Sequence, residues 1–577
     1  MARIIMKKTT IILFAFLVSF VSNGQAEKST VNLNELLLIP NEYTTLHTTT
    51  DFALVGEYLY YKLFVFSENK PSAISKVGYV ELIDSDNNLI IKQTLAIKNH
   101  SANHHIFIPS QLRTGNYKLI AYTNWSKNNS IKGGYVKDIN IINPFSSVNQ
   151  TLSESAETIA ITKANTLNLE QHDNGNITLN ISKKNYTNRE ALAVDVLVND
   201  KIKNGNYSLS IKKLDSVSVE YKTSQNYTTL DTSNIVFFPE MRGKLLVGKI
   251  TNTTQPLDIE NKNIALSIVS KNPIFKMSKT NAQGQFFFNI DHLLTYEEMT
   301  IQLVEDNNDD FKIELIEPKK TNYKALTFKN LGISKDLKRI IEQRSIKSQI
   351  ENAYFENKQD SIMKTIERDP FYYNTAKKYV LDDYTRFKTV RETFIEVIPE
   401  AGLRKEGDDY QIIVHADNAS RENNSITNLK PLIVVDGMIV QNNNDLIDFN
   451  PKKIESISIV QGDYVYGANL YQGVIGVTTF LQDFKTSING EFIINTNITI
   501  SESNKMNYQP QYQNQEQYKH IPDYRNQLLW IPNITLNSKN ETFKTYTSDD
   551  HGTYEIRFEG YTKDGEYVLS NTYFEVK

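Results

Sequence analysis

Cysteine is absent from all 577 residues. That excludes disulfides, thiolate zinc sites, iron–sulfur ligation, a cysteine nucleophile, an internal thioester and a lipid-anchoring cysteine, because each needs the sulfur. An excess of one charge sign is lacking too. The 63 Lys and Arg face 67 Asp and Glu, for a net charge of −4, which gives no bulk drive toward nucleic acid. Long apolar runs are missing after the first residues, and the one at the start, Ile11 to Val21, falls short of the ~20 residues that span a bilayer as a helix. Also absent are a His-Glu-x-x-His helix, a Gly-x-Ser-x-Gly elbow, a phosphate loop and a dinucleotide fingerprint. The chain is therefore expected to be non-catalytic, with no cofactor and no direct membrane span.

Hydrophobic residues make up 40% of the chain and aromatics 11%, a composition that suits packed globular domains. The length corresponds to about four domains at roughly 150 residues each. Arg3, Lys7 and Lys8 precede the apolar run, and the small residues Ser22, Gly24 and Ala26 follow it. This order predicts a secretory signal peptide over residues 1–25 and an exported protein.

Residues 28–145 alternate short β-rich runs with turn residues. The runs are Tyr58 to Phe66, Lys76 to Ile83, Leu89 to Ile97, Asn116 to Thr123 and Tyr135 to Ile142, broken by Asp84 to Asn88, Arg113-Thr114-Gly115 and Lys132-Gly133-Gly134. Such spacing predicts an antiparallel β-sandwich. Three phrases in it, Gly56-Glu57, Tyr79-Val80-Glu81-Leu82 and Gly115 to Trp125, resemble the macroglobulin-type domain of large secreted proteins of Bacteroidota. Tyr122 and Trp125 are read as core aromatics. A second β-sandwich is expected over 155–240, with strands at Ile177 to Ile181, Ala191 to Val198 and Tyr207 to Lys212 and a turn at Asn204-Gly205. A third unit, 243–318, carries Gly248-Lys249-Ile250 and Thr280 to Phe288 and resembles the carboxypeptidase regulatory-like β-sandwich. That resemblance implies no peptidase activity.

After Phe328 the period changes. Ser334 as N-cap with Leu337, Ile340, Ile341, Ile350 and Tyr354 predicts one or two helices within a helical linker at 330–382. Lys335, Lys338, Arg339, Arg344 and Lys347 are expected on its solvated face.

Residues 383–482 carry the sharpest succession. It runs through Pro431 to Val440 with its Asp436-Gly437 turn, Asn450-Pro451, the alternating Ile454 to Ile459, Tyr466-Gly467 and Gly473 to Thr479. It resembles the plug domain of TonB-dependent receptors. A receptor barrel needs several hundred residues after its plug, at about 9–11 per strand, and 95 remain after residue 482. The resemblance thus implies an isolated plug without its barrel. Asp436, Gly437, Gly467 and Gly473 are expected to shape turns. The tail, 485–577, with Pro522-Asp523-Tyr524-Arg525 and Leu528 to Pro532, resembles the terminal β-sandwich of the same Bacteroidota proteins.

The expected fold is mainly β and multidomain: several immunoglobulin-like or macroglobulin-like β-sandwiches, a short helical segment and an α+β plug-like domain. The expected function is that of an outer-membrane-associated interaction or scaffold subunit, with an outer-membrane β-barrel protein or complex as partner and no nucleic acid. Its side of the membrane stays open. The partner-docking candidates are Gln441, Asn442, Asn444 and Asp445 in a loop and Ile454, Ile457 and Ile459 on a strand taken to be an uncovered sheet edge. Asp549, Asp550 and Asp564 are candidate calcium ligands, against an ordinary reading as Asp-rich turns. His100, His104 and His105 form the one histidine cluster, and rings at 104 and 105 are expected on opposite faces of a strand. Two other roles compete. The macroglobulin-type domain implies a protease- or ligand-trapping protein, and exposed aromatics such as Tyr60 and Tyr61 point to a surface glycan-binding protein.

Overall fold

The computed structural model describes residues 39–577 apart from short internal stretches, the longest at 220–226, 231–236, 363–368 and 416–428. The expected signal peptide lies outside the described residues. Among the described residues, no helix is long and apolar enough to cross a membrane.

From Glu42 onward the chain is mainly β, as the alternation implies. In the first sandwich one sheet holds Glu42–Thr48, Tyr58–Ser67 and Ser101–Phe107, and the other holds Leu89–Ala96, Val77–Ile83, Gly115–Tyr122 and Gly134–Ile142. Inward residues such as Leu63, Val65, Val80, Leu119 and Ile139 fill the space between. Trp125 and Tyr122 are buried, the latter with its hydroxyl donating to Glu81 at 2.7 Å.

The expected second and terminal sandwiches are one domain. Ala191–Val198 pairs with both Ile177–Ile181 and Asn540–Tyr546. Asn206–Lys213 lies between Gln527–Ile534 and Gly552–Tyr561, and Tyr567–Val576 closes the second sheet against Gly552–Tyr561. Val194, Val196, Leu209 and Ile211 share a core with Leu529, Ile556, Phe558 and Val568. Neither half has enough strands to cover its own apolar face, so the boundaries 155–240 and 485–577 give way to a single composite sandwich.

The middle sandwich, expected over 243–318, also borrows from the tail. Its sheets are Gln285–Ile290, Lys244–Asn252 and Phe311–Leu315 on one side, and Ile274–Lys279, Asn263–Ile268, Leu294–Leu303 and Ile493–Ile500 on the other. The borrowed strand covers an edge and contributes Ile498 to the core.

The α+β module carries the strand–turn–strand order read from the sequence. Leu432–Val435 turns at Asp436-Gly437, both at positive φ (50° and 87°), into Met438–Ile439. Asp436 locks the turn by accepting from Thr479 N and Oγ1 at 2.8 and 2.6 Å. Asn450 caps a short turn at Pro451–Lys453, and the long strands Ile454–Tyr466 and Asn469–Thr479 follow. A helix, Val390–Val397, opens with a Thr389/Glu392 capping box and buries Val390, Phe394 and Val397.

The helical linker is shorter than expected. The helix here called α1, Lys338–Ala353, follows a 3₁₀ turn at Lys335–Leu337 and is succeeded by another at Phe355–Lys358. Residues 330–333 and 377–380 are strands. Asn330–Ile333 pairs in parallel with Thr158–Lys163, and Lys377–Val380 pairs with the long Ile454–Tyr466 strand. Leu337 and Ile341 seat α1 against Phe52, Leu54 and Ile161.

Candidate functional site

A cavity of about 510 Å³ lies where the first sandwich, α1 and the composite sandwich meet. In a strand, side chains at i and i+2 share a face. Tyr58 and Tyr60 therefore present one face to this cavity, while Tyr61 turns into the core. His105 stands across from Tyr60 in register, its ring 5.2 Å from that of Tyr58 and 5.6 Å from that of Tyr60. Trp530, from the composite sandwich, continues the wall 6.3 Å from Tyr60. Burial, with the charge of Asp360 adding to it, pushes the Tyr60 phenol far above its ordinary range. Tyr508, also in the wall, is pushed up to about 12 by burial. Both phenols are neutral hydrogen-bond groups at any physiological pH.

On α1, Arg344, Lys347 and Glu351 lie three and four apart and so share one side of the helix. Arg344 grips Glu57 through Nε and Nη2 at 2.6 and 2.7 Å, and Glu57 also accepts from Leu54 N. Ser348 and Asn352 donate to the carbonyl of Gly56. Lys347 and Lys213 both reach Asp550 Oδ1, at 2.5 and 2.6 Å. Lys358 donates to both oxygens of Glu351 and to Pro522 O. Deeper in the wall, Arg525 holds Asp523 through two nitrogens and donates to Leu528 O. Arg344–Glu57 and Lys347–Asp550 bridge segments far apart in sequence and tie α1 to both sandwiches. Bidentate, partly buried pairs of this kind orient side chains more than isolated surface pairs do.

The expected sites fare differently. Arg344 and Lys347 are not on a solvated face, because each finds a carboxylate across the cavity; Lys335, Lys338 and Arg339 are exposed. The strand bearing Ile454, Ile457 and Ile459 is not an open edge. Lys377–Val380 covers it, with Tyr379 opposite Ile457, and all three isoleucines are buried. In the loop, Gln441 Nε2 donates to Gln302 Oε1 and Leu303 O at 2.7 and 2.8 Å, bolting the α+β module to the middle sandwich. Asn444 donates to Asp409 Oδ1, and Asp445 accepts from Thr486 and Ser487. Asn442 is exposed.

Asp549, Asp550 and Asp564 do not converge. Asp549 is held by Arg189, Asp550 by two lysines, and Asp564 is exposed in the Thr562–Gly565 turn. Among the described residues, no three His, Asp or Glu side chains group to hold a metal. His104 and His105 are not splayed apart as expected, since their rings lie 4.9 Å apart, with His104 Nδ1 folded back 2.8 Å from His105 O. His100 sits at positive φ in the preceding turn. Tyr61 is not an exposed aromatic, and Tyr60 faces the cavity instead of the outer surface. The cavity itself had no linear signature, for its walls come from residues between Thr49 and Asp550.

No protein-family model matches the chain, and no curated protein does. Among solved structures it is similar to alpha-2-macroglobulin from Salmonella, reacted with methylamine, at 9% identity over 93% of this chain and 39% of that one, with a TM-score of 0.24. The native alpha-2-macroglobulin of Escherichia coli matches at 9% identity over 94% and 40%, again with a TM-score of 0.24. The Yersinia pseudotuberculosis adhesin InvE matches at 11% over 50% and 63%, with a TM-score of 0.13. The chain spans about two-fifths of the length of the macroglobulins it matches.

Proposed function

We propose that the chain is an exported, non-catalytic binding scaffold of the cell envelope, a subunit that works beside an outer-membrane β-barrel protein or complex and takes a ligand in its inter-module cavity. The observation that carries this reading is the cavity's construction. Its walls come from the first sandwich, the composite sandwich and α1, which packs on the first sandwich, and small-ligand sites favour such junctions. Its charged groups are engaged with one another as braces, Arg344 with Glu57 and Lys358 with Glu351. The barrel partner is supported by the plug-like order of the α+β module, whose turn and paired long strands run as that resemblance implies.

Mild crosslinking in intact cells followed by affinity purification from outer membranes tests it. Recovery with a barrel protein is expected; recovery of the chain free of any barrel partner would overturn the reading. Incubation with endoproteases tests the trapping alternative. One preferred cut followed by lost activity on large substrates would replace the scaffold with a trap.

A further inference from the structure

Three observations narrow what the cavity can hold. The first is the setting of its rings. Tyr58, Tyr60 and His105 do not stack: the His105 ring stands at 87° to Tyr58 and 64° to Tyr60, with centroids 5.2 and 5.6 Å away. The two tyrosines are tilted by 35° to each other. Rings at steep angles around one space make a poor platform for a flat ligand and a good cage for a compact cation, which is drawn to their negative faces. Elsewhere the chain covers such faces itself. Lys132 lies over Tyr43 at 4.0 Å, and within the lining of this same cavity Lys347 lies over Tyr524 at 6.0 Å. Among the described residues, no Lys or Arg lies over Tyr58 or Tyr60.

The second is charge. The cations of the lining are engaged: Arg344 with Glu57, Lys358 with Glu351, Lys213 and Lys347 with Asp550, and Lys212 with Thr49 O. Arg525, the cation whose charge reaches Tyr60, is gripped by Asp523 through two nitrogens. Asp360 differs. Among the described residues it enters no ion pair, and its hydrogen bond from Tyr508 N, at 2.9 Å, uses Oδ1 alone. Burial raises the Tyr58 and Tyr60 phenols, and the charge of Asp360 raises both further. A carboxylate that acts on two tyrosines and has no cation of its own is an incomplete pair, and a cationic ligand completes it.

The third is hydrogen bonding. Among the described residues, the hydroxyls of Tyr58 and Tyr60 have no partner. Phenol oxygens accept as well as donate, so with Oδ2 of Asp360 this corner is rich in acceptors, and a primary ammonium brings three donors and no acceptor. An added peptide strand has no place here. The neighbouring edge strand, Gln527–Ile534, has its carbonyls taken: Leu528 O accepts from Gln509 Nε2, Trp530 O from Asn507 Nδ2, and Pro532 O from Lys62 Nζ.

We infer that the cavity binds a small organic amine in its protonated form, with the ammonium against Asp360 among the Tyr58, Tyr60 and His105 rings and the apolar body along the cavity. The inference rests on the reading of the cavity as a ligand site and adds the ligand's chemistry. At about 510 Å³, the space falls in the ~300–1,000 Å³ range of small-ligand sites.

Titration calorimetry of the full chain at neutral pH is the test. Hexylamine, protonated at that pH, is the probe, with 1-hexanol as the neutral chain of the same shape and hexanoate as the anion. Saturable heat is expected with hexylamine, and binding at least about tenfold weaker with the other two. Asp360→Asn keeps the oxygen that Tyr508 N uses and removes the charge; it should weaken hexylamine binding by about tenfold or more, and Tyr58→Ala should do the same. Each variant's melting temperature reports whether it has folded. Should Asp360→Asn unfold, Tyr58→Ala and a rise in Kd with added salt stand in for it. Hexanol or hexanoate binding as tightly as hexylamine would overturn the ammonium while keeping the cavity as a ligand site, and full affinity in a folded Asp360→Asn would overturn it as well. Silence of all three probes would overturn the inference while leaving recovery of a barrel partner untouched, so the two readings fail separately.

Discussion

The buried ammonium of Lys62 donates to the carbonyl oxygen of Pro532, 470 residues further along the chain. It also donates to Tyr207 O at 3.1 Å and to Asn206 Oδ1. Three oxygens of the composite sandwich thus converge on one cation of the first. Replacing Lys62 by Met leaves three buried acceptors without their donor, and the expected loss is about 3 kcal/mol. Urea unfolding of Lys62→Met against wild type checks it. A midpoint unchanged within error would mean that the clamp contributes nothing to stability.

A pH dependence follows from His47 at the same junction. Its Nδ1 is buried without a hydrogen-bond partner, 3.7 Å from Glu559. Around it stand the cations Lys62, Lys137 and Arg557 and the rings of Tyr561 and Tyr567. Burial, reinforced by those cations and opposed by Glu559, lowers its pKa from 6.5 to about 4. The unfolded chain therefore takes up this proton first, and stability falls as pH drops from 6.5 toward 4, by roughly 2–3 kcal/mol. Burial by itself would raise the Glu559 carboxyl, yet the charge of His47 when protonated and of Arg557 holds it down to about 2. Its contribution is lost in turn as pH falls from 4.5 toward 2. His47→Gln should flatten the urea midpoint between about pH 7 and about pH 5; a slope equal to wild type in that window would assign the effect elsewhere.

Gly437 closes the Asp436-Gly437 turn at φ 87°, and a Cβ there would come within 2.8 Å of Pro273 Cβ in the middle sandwich. Gly437→Ala meets both a strained backbone and a neighbour that cannot yield. It should cost about 1–3 kcal/mol, read by thermal unfolding, and retention of the wild-type melting temperature would show that the turn relaxes freely.

The Gln441 loop separates packing from docking. Gln441→Ala removes the bonds to Gln302 and Leu303 and should destabilise by about 1–3 kcal/mol. Asn442→Lys, at an exposed position, should stay within about 0.5 kcal/mol. Loss of a co-purified barrel partner in Asn442→Lys with an unchanged fold would return the loop to the docking surface.

What could be read in the sequence was local. The Asp436-Gly437 turn, the Asn450-Pro451 break and the alternation of Ile454 to Ile459 are encoded within a few residues of one another, and each is present. Partnership was not encoded that way. The Ile454–Tyr466 strand alternates as an edge strand would, yet Lys377–Val380 covers it, because period-two patterning tells faces and not neighbours. Likewise nothing near Asn206–Lys213 announces that both its neighbours come from the tail. Arg344 and Lys347 looked like a solvated charge run because their carboxylates, Glu57 and Asp550, lie some 200 to 290 positions away. Tyr58 and Tyr60 become a site only when Trp530 arrives from another module.

The composite sandwich also sets a clock on biogenesis. The Asn206–Lys213 strand has both of its sheet neighbours beyond Gln527, so more than about 300 residues must be made before either edge is covered, roughly 15–60 s at ~5–20 residues per second. For that interval the Asn206–Lys213 strand is unpaired and one edge of Ala191–Val198 is uncovered, both open to wrong partners. Nascent chains stopped anywhere before the tail should therefore aggregate or be degraded, however complete their first sandwich.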